Sequence, residues 1–340
     1  MDASNLPRIA FAMGDPAGVS PELTAKALAD AQVRAAAHFI VFGDRRMLDL
    51  GARQASVALD IETIDAEAIR ARAEGTVFVD LAHCDPATIT LGEVSEAGGA
   101  SAIANFRGAL QLARDGHAQA VAFTPFNKAA MRLAHPSYED EIVFLSEELA
   151  FEGEASEFNI LPHLWNARVT SHVPLSGVSA LITREAILDN LTLTHDNLKA
   201  AGFERPRIAV AGLNPHAGDG GNFGREEIDV IAPAVEEGRG RGIDCAGPYP
   251  SDTVFMRANR GDFDAVLTMY HDQGQIAMKL IGFDAGVTLL GGFPFPVCTP
   301  AHGTAYDIAG AGKADLGATR NALLLAATMA RRAQAAHIAA

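Results

Sequence analysis

The chain has 340 residues, of which 49% are hydrophobic and 20% charged, a balance that fits a globular protein with a sizeable core. At roughly 100–200 residues per domain this length predicts two domains. A formal net charge of −15 with no Lys/Arg cluster argues against a nucleic-acid binder and for a small-molecule protein. Three scattered cysteines, a first stretch without a basic and apolar leader, and no apolar run near the roughly 18 residues that span a bilayer predict a reduced, cytoplasmic protein.

In chain order, the first strand is Arg8–Met13, followed by Gly14-Asp-Pro-Ala-Gly-Val-Ser-Pro-Glu22 and a helix over Pro21–Ala31. Strands follow at Phe39–Phe42 and Thr76–Val79, then a helix over Ala100–Asp115 and a strand over Ala118–Phe123. That strand leads into Thr124-Pro-Phe-Asn-Lys128 and a helix over Glu139–Leu149. Further strands are expected at Arg168–Ser171, Ile208–Ala211 and Ala265–Met269, with helices over Arg184–Ala201 and Arg225–Arg241. This β/α alternation predicts parallel, doubly wound sheets with helices on both faces. Ligands in such sheets bind beyond the carboxyl ends of the strands, where several motifs stand.

The motif at 14–22 reads equally as an anion site, with glycines and a helix N-terminus, and as an ordinary strand-to-helix turn. Lys128 could hold an anion as a point charge, although a loop lysine is more often simply solvated. His172, His216 and His271 each follow a different strand. Three neutral imidazoles converging above a sheet suit a catalytic divalent cation, zinc first, with cobalt, nickel or manganese as other occupants. Asp272 adjoins His271 as a second acceptor or a ligand. His302-Gly-Thr-Ala-Tyr-Asp-Ile-Ala-Gly310 reads as a capped turn, or as an adenosine site built from its backbone and Asp307. Gly-Asp-Gly-Gly at 218–221 has the composition of a phosphate loop without its Lys-Ser/Thr, and no dinucleotide glycine fingerprint, Walker loop or nucleophile elbow is present.

Together, Gly14–Glu22, Thr124–Lys128, His172, Asn214-Pro-His-Ala-Gly-Asp-Gly-Gly221, Tyr270-His-Asp-Gln-Gly274 and His302-Gly-Thr-Ala305 resemble the 4-hydroxythreonine-4-phosphate dehydrogenase family, nearly end to end. The resemblance implies two α/β/α domains of the isocitrate/isopropylmalate dehydrogenase-like fold with an active site in the cleft. The first domain would be 1–132 plus 297–340 and the second 133–296, the latter carrying the metal ligands and the dimer contact. It implies a homodimer that shares its site, with His172, His216 and His271 on one metal and His271 coming from the partner. It further implies NAD or NADP at His302, Gly303, Thr304, Ala305 and Asp307, and catalytic roles for Lys279, Asp252 and Asp272. The reaction would oxidise a secondary alcohol β to a carboxylate, with decarboxylation.

Departures from the family bear on substrate. Glu141 and Ile142 stand where the family has a His-Thr pair, and Thr288 and Val297 where its phosphate pocket has asparagine and arginine. Loss of a bidentate arginine, with a glutamate nearby, argues against a phosphorylated substrate. The expectation is therefore a non-phosphorylated hydroxy acid such as terephthalate dihydrodiol, with Asp15 and Lys128 as further substrate contacts. The alternatives are the family's own 4-hydroxythreonine 4-phosphate in pyridoxal phosphate biosynthesis, and a phosphate acyltransferase-like enzyme on the same fold.

Overall fold

The computed structural model describes residues 6–65, 68–71 and 75–339, which form two units. One consists of residues 1–152 and 293–340, and the other, 153–292, is inserted in the chain between them.

Among the described residues, the first unit has six strands: β1 (Arg8–Ala12), β2 (His38–Gly43), β3 (Glu62–Ile64), β4 (Val77–Asp80), β5 (Ala120–Phe123) and β12 (Val297–Pro300). They lie in the order β3-β4-β2-β1-β5-β12, with every neighbouring pair parallel. β1, β2 and β5 are almost wholly apolar and buried, as strands covered on both faces must be. Its helices are α1 (Ser20–Ala29), α2 (Ala31–Ala36), α3 (Arg45–Ala55), α4 (Glu96–Arg114), α5 (Lys128–Ala134), α6 (Glu141–Leu149) and α12 (Gly317–Ala339). The strand order reverses between β1 and β5, so the loops after these two strands mark the position where a doubly wound sheet receives a ligand.

Residues 133–152 pack in this unit, although the family pattern would put them in the other. Asp140 caps α6 by accepting from the Val143 N–H, and α6 then lays Phe144 parallel to Phe106 of α4 at 5.6 Å. Arg107 pairs with Glu148 at 2.6 Å, and Phe151 meets Phe293 at 5.0 Å.

The second unit holds β6 (Ser156–Leu161), β7 (Leu164–Arg168), β8 (Ile208–Ala211), β9 (Cys245–Tyr249), β10 (Ala265–Thr268) and β11 (Val287–Gly291), in the order β11-β6-β7-β10-β8-β9. Its helices are α7 (Leu175–Leu181), α8 (Arg184–Ala201), α9 (Ala232–Gly240), α10 (Ser251–Asn259) and α11 (His271–Gly282). β7, β10, β8 and β9 are mutually parallel, whereas β6 runs antiparallel to both its neighbours. A wholly parallel sheet is therefore correct for the first unit and needs this correction in the second. Only two residues separate β6 from β7, too few for a parallel crossover, so they form a hairpin.

Candidate active site

In the second unit the histidines stand after three adjacent parallel strands. His172 follows β7, His271 follows β10 and opens α11, and His216 follows β8. Because β7 and β10 are neighbours, the rings of His172 and His271 lie 5.9 Å apart, and both line a cavity of about 250 Å³ with Ser171, Tyr270 and Asp272. Within the chain, His271 and His172 thus face one cavity. His216 lies on a separate turn, its ring 6.1 Å from Phe223. Among the described residues no three His, Cys, Asp or Glu side chains gather as a complete metal site.

The donor chemistry of the pair nevertheless fits a cation. His271 Nδ1 lies 2.7 Å from Asp272 Oδ1, and donation to this carboxylate leaves the Nε2 lone pair available, as in metal-ligating histidines. Behind His172, Arg168 donates to Ser171 Oγ and Asn159 Oδ1 and pairs with Glu157 at 2.9 Å. Burial pushes the Glu157 carboxyl up, but the Arg168 charge and hydrogen bonds outweigh it and hold the group below its ordinary range. Gln273 ties the two loops together, accepting from Met269 N and donating to Gly212 O. Asp252, in the first turn of α10, and Lys279, toward the end of α11, are both exposed.

In the first unit, the 14–22 motif is a platform for protein and not an open cradle. A Cβ on Gly14 would come within 2.2 Å of the Thr124 carbonyl oxygen, and one on Gly18 within 2.6 Å of that of Thr304. The glycines thus admit neighbouring backbone. Val19 N donates to Thr304 O, Ala314 N donates to Glu22 Oε1, and Lys26 donates to Glu22, Gly312 O and Ala314 O. Tyr306 donates to Asp15 Oδ2 at 2.5 Å, while Asp15 Oδ1 accepts from Ala17 N. Asp15 is buried, with both of its carboxylate oxygens accepting hydrogen bonds from within the protein. Burial raises its carboxyl above the ordinary range, against the opposing pull of these two hydrogen bonds.

The 302–310 loop is thereby fixed beside the switch point. Thr304 is buried, His302 Nδ1 lies 2.9 Å from the Gly303 oxygen, Ala305 adopts φ +43, and Asp307 is exposed. Tyr306 carries much of this arrangement and was missing from the expected set; a tyrosine inside a glycine-bounded motif was the signal available for it.

The residues that suggested an unphosphorylated substrate have other duties. Glu141 is the first residue of α6 and pairs with Lys128 at 3.0 Å, so its charge is compensated. Ile142 is half-buried on the same helix, and Thr288 is half-buried in β11 opposite Asn159. Val297 is fully buried in β12, paired with Val121, so its apolar character is core packing.

Comparison with known proteins bears on the substrate itself. A protein of Rhizobium meliloti named "Putative 4-hydroxythreonine-4-phosphate dehydrogenase 2" is 61% identical over 98% of this chain and 96% of its own. A D-threonate 4-phosphate dehydrogenase of Cupriavidus necator is 37% identical over 96% and 98%. The crystal structure of the 4-hydroxythreonine-4-phosphate dehydrogenase from Klebsiella pneumoniae has a TM-score of 0.82 at 36% identity, covering 96% of this chain and 98% of that one. A terephthalate 1,2-cis-dihydrodiol dehydrogenase from Burkholderia xenovorans stands further off, at 28% identity and a TM-score of 0.67 over 95% and 98%. The expected dihydrodiol-type substrate is thus overturned: the nearer relatives are named for 4-phosphates. The family model described as "Pyridoxal phosphate biosynthetic protein PdxA" matches residues 35–326. With that model spanning most of its length and a 61% identical relative spanning nearly all of it, the chain belongs to the PdxA family and is a dehydrogenase acting on a CH–OH group.

Proposed function

We propose that the chain oxidises the secondary alcohol β to the carboxylate of a 4-phosphorylated hydroxy acid, of the 4-hydroxythreonine 4-phosphate or D-threonate 4-phosphate kind, using NAD. The observation that carries the chemistry is His172 and His271 facing one cavity, with His271 oriented by Asp272. The substrate class follows from the relatives' names.

In this reading His172, His271 and His216 hold a divalent cation, zinc by preference for imidazole nitrogen, and His216 comes from a second copy of the chain. When bound, such a cation supplies Lewis acidity to the substrate's hydroxyl oxygen. NAD, held at the 302–307 loop, would supply the hydride acceptor for the alcohol carbon; with the hydroxyl proton released, a β-keto acid remains. Loss of CO₂ then places the electrons of the broken C–C bond on the ketone oxygen, where Lys279 offers positive charge. Asp252 and Asp272 add carboxylates to the same unit. The 302–307 loop, held by Asp15, Val19 and Glu22, takes the adenosine half of the dinucleotide. Exposed Leu175, Ile276 and Leu280 support a homodimer, since a second copy would cover them.

The test is NAD reduction with each phosphorylated acid and its unphosphorylated counterpart, with CO₂ measured in parallel. Turnover of one of the phosphorylated acids is expected at kcat/KM above about 10⁴ M⁻¹s⁻¹. Chelation should abolish it and added metal restore it. Metal-replete protein that reduces NAD with neither phosphorylated acid would sink the proposal.

A further inference from the structure

His216 opens a turn in which five consecutive residues, His216 to Gly220, have left-handed backbones with φ between +44 and +80. Three of them, His216, Ala217 and Asp219, are not glycine. Each such residue costs roughly 1–2 kcal/mol relative to a right-handed conformation, so the surrounding structure must hold the turn in place.

Glu227 supplies that hold from outside the turn. It is 2% exposed and opens a short π-helical stretch, Glu227–Ile231. Its Oε1 accepts from the backbone N–H groups of Leu213 at 2.8 Å and Asn214 at 2.7 Å. Its Oε2 accepts from Asn214 Nδ2 at 2.9 Å, and the same amide donates to Glu226 Oε2. The turn is shaped around this carboxylate: a Cβ on Gly218 would stand 2.7 Å from Oε2, and one on Gly212 3.1 Å from Oε1. A single buried carboxylate therefore binds the backbone entering the turn and limits how closely the turn can fold over it.

We propose that Glu227 is a positioning residue for metal binding, fixing the left-handed turn so that His216 is presented as a ligand. The inference rests on the reading of His216 as a ligand under Proposed function. Orienting groups behind metal ligands commonly contribute about 10–100-fold to metal affinity.

The test is Co²⁺ titration of the metal-stripped full-length protein, read by visible absorption and by competition with a chelator, well below the unfolding temperature. Parent, His216→Ala, Glu227→Gln and Gly218→Ala are compared. His216→Ala and Glu227→Gln are both expected to weaken Co²⁺ binding, the latter about 10–100-fold, and to change the absorption spectrum. Gly218→Ala keeps every hydrogen-bonding group but drives a methyl at the carboxylate, and should weaken binding in the same way. It also decides the matter if Glu227→Gln does not fold. Parental affinity in Glu227→Gln or in Gly218→Ala, with binding lost in His216→Ala, overturns the positioning role alone. Parental affinity in His216→Ala overturns the ligand reading on which it rests.

Discussion

Asp15 holds a carboxylate where water cannot reach it, and its partner is a hydroxyl far along the chain. Folding raises its affinity for a proton, chiefly through burial. The sign of the consequence follows by linkage. A folded pKa above the unfolded value of 3.8 means that the Asp15 contribution is fully present below that value and is lost as pH rises through the folded one. Asp15→Asn removes this loss, so its stability relative to the parent should rise as pH increases from below 3.8 toward neutrality, measured by urea unfolding. A difference independent of pH would contradict this origin. Tyr306→Phe, which leaves a buried carboxylate oxygen without its donor, should cost about 1–3 kcal/mol. In the sequence Asp15 reads as a group facing a ligand, because it stands in a glycine motif after a strand. Nothing local shows that Tyr306, 291 residues later, takes up the carboxylate. Glu227 has the same character: its partners Leu213 and Asn214 lie across a loop whose handedness composition does not reveal.

Among the elements, the buried apolar runs were legible and the polar ones were not. β1, β2, β5, β8 and β10 all stand out as short hydrophobic stretches. β6 passes unnoticed because it carries Glu157 and Asn159, which pair with Arg168 and are hidden by that pairing instead of by apolar character. α11 is obscured by Gly274 in its first turn, yet a Cβ there would come within 2.0 Å of Asn166 Oδ1. That glycine serves the packing of the helix on β7, and the helix carries His271 and Lys279. The contact between α4 and α5 follows the same rule: a Cβ on Gly99 would fall 1.9 Å from the Ala130 carbonyl oxygen. Gly99→Ala should therefore separate these helices at a cost of about 1–3 kcal/mol or more. Calorimetry should show a lower unfolding temperature, by about 2–4 °C per kcal/mol, with Co²⁺ affinity at the parental level. An unchanged unfolding temperature would mean that the helices part without cost.

For the whole molecule, the motifs scattered along the chain gave the family, while the substrate was misread because single residues were taken from their surroundings. In the sequence Glu141 reads as a charge that repels phosphate, whereas in the fold Lys128 pairs with it. Association is also a property of this scale. Leu280 is 83% exposed and Ile276, one turn earlier on the same face of α11, is 60% exposed. If this face is covered by a second copy, as proposed, light scattering should give twice the 35.7 kDa chain mass. Leu280→Glu should shift the protein toward that single-chain mass and weaken Co²⁺ binding with it; a parental dimer in this variant would place the contact elsewhere. The chain's division into units also decides which strand edges depend on distant parts of the chain. The unit that carries His172, His216 and His271, residues 153–292, is one continuous stretch, whereas the other is completed only by residues 293–340. In that other unit β12 pairs with β5, and the 302–314 loop docks on the 14–22 platform. Without residues 293–340 the edge of β5 that β12 covers has no partner strand, and an unpaired strand edge is a template for mispairing.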